Sequence, residues 1–258
     1  MAVKRQRLDL LVVERGLAES VDQARRYIGA GEVRVDKQCC AKAGELVPVA
    51  AEILRAPAKR FVSRGGDKLA SGLESLGIDP AGWVCVDVGS STGGFTDCLL
   101  QRQARTVYCV DVGYGLLAWK LRQDARVIVL ERTNARYLTR DHIPEPLDFA
   151  VIDASFISLE PLLPPLLPLF RDQIRILALV KPQFQLPKEL LAGTGGVVED
   201  AQAHQLALDM VRGFGQNLGL VCERVAASGI RGAKGNQEFF MLLSGVRCGM
   251  RPTEEYPQ

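Results

Sequence analysis

The sequence runs to 258 residues, 47% hydrophobic and 24% charged, with a formal net charge of +2. That length exceeds what one typical domain of about 100–200 residues needs, and the composition is that of a folded globular chain. The most apolar stretch, Pro161 to Phe170, carries four prolines and falls short of the roughly 18 apolar residues of a membrane span. The start, MAVKRQRLDL, has charge with no apolar core behind it, which reads against a signal peptide and a membrane partner and towards the cytoplasm. Residues 1–68 hold 14 Lys+Arg against 9 Asp+Glu, and the remainder 18 against 21. A basic amino-terminal module beside a near-neutral remainder fits a nucleic-acid partner.

Residues 5–60 are expected to form a small α+β domain. RQRLDLLVVERG puts Leu8, Leu11 and Val12 on one helical face. Ser20 is placed to cap a second helix over SVDQARRYIGAG. GEVRVDKQCC alternates and turns at Asp36-Lys37, a hairpin pattern, and ELVPVAAEIL supplies a further strand. Arg7, Arg25, Arg26, Arg34 and Lys37 are the cations expected to grip RNA phosphates. Residues 61–67 are read as a linker, since Pro57, Gly65 and Gly66 break the pattern.

A second domain, residues 68–248, then alternates strands and helices. Strands are expected over 83–89, 105–112, 126–131, 147–154 and 174–181. Helices are expected over 95–103, 116–122, 159–170 and 199–217. Two closing strands, 220–230 and 238–244, are expected to run antiparallel. This rhythm predicts a Rossmann-like, mostly parallel sheet covered on both faces.

The first strand opens into Asp87-Val88-Gly89-Ser90-Ser91-Thr92-Gly93-Gly94-Phe95-Thr96, where an open α/β sheet binds ligands. Asp111 ends the next strand, 24 residues after Asp87, the kind of spacing at which an acid receives ribose hydroxyls. The dinucleotide pattern GxGxxG is absent. A phosphate-binding GxxxxGK[ST] loop nearly fits Gly89 to Thr96, but Phe95 stands where its lysine belongs. S-adenosylmethionine has no diphosphate to cradle, so this loop suits it better than ATP, GTP or a dinucleotide. Lys68, Asp153, Lys181 and Glu238 fall where such a fold converges, and Asp153 and Lys181 each follow a strongly apolar strand directly. The seven cysteines form no CxxC pair, and His142 and His204 have no ligand partner at helical spacing, so no metal site is expected.

SRGGDKLA, DVGSSTGGFTD, DVGYGLLAW, ERTNAR, DASFISL, LVKPQF and GNQEFF, in that order, resemble the TlyA or hemolysin A-like family of ribosomal RNA 2′-O-methyltransferases over nearly the whole chain. The resemblance implies an S4-type RNA-binding domain followed by an FtsJ-like methyltransferase domain. It also implies a catalytic Lys68-Asp153-Lys181-Glu238 tetrad and a cofactor site drawing on the glycine loop, Asp111 and Asn134. The reaction it implies is S-adenosylmethionine-dependent methylation of a cytidine ribose in ribosomal RNA of the large subunit, the small subunit or both. Lys181 would then accept the hydroxyl proton, helped by repulsion from Lys68, or steer the hydroxyl as a cation. Asp153 and Glu238 would orient the lysines. QLPKELLAGTGGVVED, after Lys181, is expected to be a mobile loop. A non-catalytic RNA- or ribosome-binding protein, a hemolysin and an S4-containing pseudouridine synthase are the competing readings. The first leaves the glycine loop, Asp111 and the tetrad without purpose. The second lacks a span and a strong basic amphipathic helix, and the third has no use for the glycine loop.

Overall fold

A computed structural model describes residues 3–39, 42–56, 60–232 and 234–247. Pro57, Cys40 and Cys248 lie outside them. The chain divides into two compact units, Met1–Lys59 and Arg60–Gln258.

In the first unit β1 (Arg5–Arg7) leads directly into α1 (Leu8–Glu14), followed by α2 (Val21–Gly29), β2 (Val33–Val35), β3 (Gln38–Cys39), β4 (Leu46–Pro48) and β5 (Ile53–Arg55). β1 pairs antiparallel with β4, and β2 lies between β3 and β5. The helix expected from RQR onward therefore starts at Leu8, because the residues before it are drawn into the β4 ladder. Leu8, Leu11 and Val12 are buried with Ala24, Ile28, Val33 and Val47. Ser20 Oγ caps α2 by accepting from Gln23 N at 3.2 Å. Asp36 and Lys37 both take positive φ, 48° and 69°, as a tight hairpin turn between twisted strands requires.

The buried Asp9 joins the two helices. Its carboxylate receives Arg7 Nη2 at 2.7 Å and Arg25 Nε at 3.1 Å. The Arg7 hydrogen bond first, and then that of Arg25, hold its pKa down to about 2 against the opposing effect of burial. The stabilisation is present above the ordinary carboxylate range and is lost as pH falls through about 2. Asp9→Asn should therefore destabilise this unit at pH 7 by about 1–3 kcal/mol, the worth of charge-assisted hydrogen bonds. In denaturant titrations the gap to wild type should close between pH 4 and 2; a gap independent of pH would remove the ionic contribution.

The second unit opens with residues expected to be a linker, and they are part of its fold. Phe61 is buried in the core, Val62 N donates to Asp97 Oδ2 at 2.8 Å, and Ser63 caps α3 (Arg64–Leu76) by accepting from Gly65 N. Then come β6 (Val84–Val88), α4 (Gly94–Gln101), β7 (Thr106–Val110), α5 (Trp119–Arg122), β8 (Val127–Leu130), β9 (Phe149–Ile152), β10 (Gln173–Val180), α6 (Pro182–Gln185), α7 (Ala201–Asn217), β11 (Val221–Ala227) and β12 (Phe239–Val246). The sheet order is β11-β12-β10-β9-β6-β7-β8, parallel throughout except for β12, which runs antiparallel to both neighbours. All five residues of β6 are buried, as a strand covered on both faces requires. Val84, Val86 and Val88 enter one core with Ile152, Leu163 and Phe170. Cys85 enters the other with Leu73, Phe149 and Phe240.

Two expected helices are shorter or tighter than the sequence suggests. Residues 159–170 form two 3-10 stretches, Glu160–Leu162 and Pro164–Leu169, because prolines 161, 164, 165 and 168 remove amide donors that an α-helix needs. The helix expected over 116–122 is reduced to α5. Among the described residues no helix is long and apolar enough to cross a membrane, and no cluster of three metal-ligating side chains occurs.

Candidate functional site

β7 and β9 flank β6 on opposite sides, so the strand order reverses direction at β6, the place where open α/β sheets leave a crevice beyond the strand ends. A cavity of about 610 Å³ lies there, lined by the glycine loop, the start of α3, the ends of β9 and β10 and the residues preceding β12.

Two glycines of the loop are required by close packing of the protein on itself. A Cβ on Gly89, whose φ is +83°, would stand 2.7 Å from the Asp153 carbonyl oxygen. One on Gly94 would stand 2.2 Å from Ser63 Oγ and 2.8 Å from Gly66 N. These glycines therefore bring β6 and α4 against the segments that carry Asp153 and Lys68. Asp87, Gly89, Ser90, Ser91, Thr92, Gly94 and Phe95 line the cavity, whereas Gly93 does not; Gly93 packs beneath Leu121 and Leu117.

Asp87 is completely buried. Its Oδ2 accepts from Thr96 N at 2.9 Å and Thr96 Oγ1 at 2.7 Å, and Thr96 Oγ1 is also 3.0 Å from Cys109 Sγ. Its Oδ1 is buried without a hydrogen-bond partner. Burial, with smaller contributions from the charges of Asp153 and Asp111, pushes the carboxyl up to about 7, although the Thr96 hydrogen bonds oppose the rise.

Asp111 and Asn134 lie beyond the ends of β7 and β8 and do not line the cavity. Asp111 is tied to the glycine loop, accepting from Ser91 N and from Gly113 N, each at 2.7 Å. A carboxylate oxygen has two acceptor sites, so each oxygen keeps one for a ligand. Asn134 Oδ1 accepts from Arg136 N at 3.1 Å and caps the turn Ala135–Tyr137.

The four tetrad side chains all line the cavity and form two ion pairs. Lys68 Nζ donates to Glu238 Oε2 at 2.6 Å. Lys181 Nζ stands 2.6 Å from Asp153 Oδ1, a charge contact outside hydrogen-bond geometry, and donates to Ser155 Oγ at 2.9 Å. Lys68 and Lys181 thus each have their own counter-charge, and repulsion of one lysine by the other is replaced by two neutralised pairs. Lys181 is only 7% exposed and Glu238 3%, a depth at which charges must be paired. A Cβ on Gly232 would lie 2.5 Å from Glu238 Oε1, so a glycine there leaves the carboxylate its room.

Sequence reasoning missed several lining residues: Ser63, Ser155, Phe156, Gln183, Phe184 and Asn236. Ser155 and Phe156 stand within DASFISL and Gln183 within LVKPQF. The motifs were visible, but only distances could show which side chains turn inward. Phe156 takes a φ of +64°, and its ring centroid is 5.1 Å from that of Phe184.

Of the five cations expected to meet RNA, Arg7 and Arg25 also serve the buried Asp9. Arg26, Arg34 and Lys37 are exposed and have no ion pair among the described residues.

Comparison with known proteins agrees with this architecture. The model of the FtsJ-like methyltransferase family matches residues 61–244, and that of the S4 domain matches residues 6–53. The chain belongs to the FtsJ-like methyltransferase family. Its relatives include the 16S/23S rRNA (cytidine-2′-O)-methyltransferase TlyA of Mycobacterium tuberculosis, 45% identical over 93% of this chain and 90% of that protein. Hemolysin A of Brachyspira hyodysenteriae is 32% identical over 90% of this chain and 97% of that one. A solved Streptococcus thermophilus protein that carries a hemolysin name is 38% identical, with a TM-score of 0.72, covering 95% of this chain and 90% of that one. The FtsJ-like assignment gives the seven-stranded unit its class, and the S4 assignment does the same for the amino-terminal unit.

The raised Asp87 has a measurable consequence. Its folded value exceeds the unfolded one, so ionisation works against folding from about pH 4 upward, fully so above pH 7. Without ligand, Asp87→Asn should raise the melting temperature at pH 8 by at least about 2 °C, the response of a chain this size to roughly 1 kcal/mol. The gain should vanish near pH 4; a loss of stability at pH 8 would show that the carboxylate is satisfied.

Proposed function

We propose that the chain is an RNA (cytidine-2′-O-)-methyltransferase that uses S-adenosylmethionine to methylate a ribose of ribosomal RNA, working in the cytoplasm where that RNA is found. The observation that carries this reading is the meeting, in one cavity, of two lysine–carboxylate pairs, each with one buried member, and a glycine loop behind which Asp87 Oδ1 lacks a partner.

The donor set fits the cofactor. Asp87 Oδ1 offers an acceptor to a positively charged or N–H-bearing group, and the methionine end of S-adenosylmethionine carries an α-ammonium. Asp111 retains acceptor sites for ribose hydroxyls, and Asn134 stands at the end of the adjoining strand. Of the four cations in the lining, Arg64, Lys68, Lys181 and Lys234, the two lysines of the tetrad are already neutralised by Glu238 and Asp153. When bound, the cofactor supplies a methyl group activated by a sulfonium.

The protein's own part is alignment and proton handling. Lys181 and Asp153 place a cationic donor and an anionic acceptor 2.6 Å apart. A ribose hydroxyl set beside this pair would meet the ammonium with its oxygen and the carboxylate with its proton. The ammonium stabilises negative charge as it develops on oxygen, and the fixed position supplies the orientation on which a two-reactant displacement depends. Ser155 holds Lys181 in place, and Lys68 and Glu238 hold one another in the same lining. No step calls for a metal ion.

Lys181→Ala should reduce methyl transfer to ribosomal RNA by at least about 100-fold, the lower range for a donor that stabilises charge developing on the attacking oxygen. Affinity for S-adenosylhomocysteine by calorimetry should change by less than threefold. A variant keeping more than a tenth of the wild-type rate would remove Lys181 from the chemistry.

The S4 unit is proposed to hold the RNA. Arg26, Arg34 and Lys37 are its uncommitted cations, and phosphate contacts of this kind raise affinity without reading sequence. Replacing all three with Gln should weaken RNA binding and flatten its salt dependence, by up to about 0.9 in log–log slope for each duplex phosphate no longer neutralised. Methyl transfer should then fall most at low enzyme concentration. An unchanged salt slope would show that these cations merely face solvent.

A further inference from the structure

Asn236 belongs to no ion pair and lies outside the tetrad, yet it is buried and lines the cavity two residues before Glu238. Both ends of its carboxamide engage one opposing segment. Asn236 Oδ1 accepts from Val198 N at 2.7 Å, and Asn236 Nδ2 donates to Gly196 O at 2.8 Å. From the other side, His204 Nε2 lies 2.8 Å from Val198 O.

The segment held in this way has little to hold itself. Between the 3-10 turn Lys188–Leu191 and the capping Asp200 of α7 it forms no regular element. Gly193, Gly195 and Gly196 all take positive φ, at 81°, 61° and 84°. Its internal hydrogen bonds are short-range: Thr194 N to Leu191 O, Val197 N to Thr194 O and Gly196 N to Thr194 Oγ1. Yet Leu191 and Gly196 form part of the cavity wall. A glycine-rich stretch without a ladder has high conformational entropy. Its place against the cavity therefore depends on Asn236, His204 and the burial of Val198.

We infer that Asn236 is a positioning residue: it seats residues 191–198 as a wall of the cavity and ties that wall to the same short run that presents Glu238 to Lys68. The run is preformed on its own side. Gly232 N donates to Asn236 O, Gly235 N donates to Gly232 O, and Ser228 N donates to Glu238 O at 2.8 Å. Seating of the loop and placement of Glu238 are thereby one arrangement. The stretch that the sequence suggests is mobile is clamped at its distal end, and its freedom lies in residues 192–195. The consequence for turnover rests on the methyltransferase reading of the cavity; the clamp itself does not.

The test uses the full-length protein with Asn236→Ala, and Asn236→Asp as a second variant. The aspartate keeps the acceptor for Val198 N and loses the donor to Gly196 O. Hydrogen exchange of residues 194–198, read by mass spectrometry, should accelerate at least tenfold in the alanine variant and less in the aspartate variant. The melting temperature should fall by a few degrees in the alanine variant, and further in the aspartate variant, whose carboxylate is buried without a counter-charge. Turnover of ribosomal RNA methylation should fall about 10- to 100-fold in the alanine variant, with the aspartate variant in between and the KM for S-adenosylmethionine changed by less than threefold. Faster exchange with unchanged turnover would overturn the positioning role, leaving a structural tether. Slower turnover without faster exchange would overturn the clamp. If the aspartate variant does not fold, the alanine variant decides between the same outcomes. A wild-type protein inactive on ribosomal RNA would count against the proposed function alone, since the exchange result stands without it.

Discussion

Pairing four charges in one cavity, with Lys181 and Glu238 buried and Lys68 and Asp153 half-buried, is the constraint from which most of the second unit follows. Lys68, Asp153, Lys181 and Glu238 come from α3, the end of β9, the end of β10 and the start of β12, and an unpaired charge at this depth would cost several kcal/mol. The sheet order meets the requirement. β9 and β10 are neighbours, which brings Asp153 to Lys181. β12 runs antiparallel beside β10, which turns its first residues, and Glu238 with them, to the carboxyl end of the parallel strands. α3 approaches across Gly94 and delivers Lys68. The glycines at 89, 94 and 232 are places around the tetrad where chain and chain come too close for a side chain.

Asp87 is the counterexample that marks the site. Every other buried charge of the cavity has an opposite charge beside it, whereas Asp87 has a hydroxyl and an amide on one oxygen and nothing on the other. Buried polar atoms without partners are uncommon, and each calls for an explanation. A carboxylate that burial makes costly to ionise, facing a cavity, is a stability cost that ligand binding can offset. The amino-terminal unit shows the opposite arrangement: Asp9 is buried with two guanidinium groups upon it, and its role is to hold two helices together.

Much of this was legible in the sequence, for physical reasons that differ from element to element. The strands of the sheet were readable because a strand buried on both faces is a continuous apolar run, as in WVCVDVG. The Asp36-Lys37 turn was readable because little else reverses two alternating runs so tightly. The tetrad and the glycine loop stood in long motifs whose order matched a known family. What escaped has its own causes. The amphipathic start of α3 was hidden by SRGGD, where Gly65 and Gly66 look like a break but are small residues that allow Phe61 and Phe95 to pack. The prolines of 159–170 left the direction of the chain intact and changed only its pitch. The pairing within the tetrad, Lys68 with Glu238 and Lys181 with Asp153, depends on strand order and not on spacing. Asn236 was indistinguishable from any polar residue of a loop until its carboxamide was seen between Gly196 and Val198.

The most direct test of the cavity's chemistry is the position of the transferred methyl group. Purified protein, S-adenosylmethionine with a labelled methyl group and unmodified ribosomal RNA should be combined, and the RNA digested to nucleosides for mass spectrometry. The two lysine–carboxylate pairs lead to label on a ribose, and the proposed function to that of cytidine, with the base unmodified and no dependence on added metal ions. Label on a base, or no transfer to any ribosomal RNA while the cofactor binds normally, would contradict it.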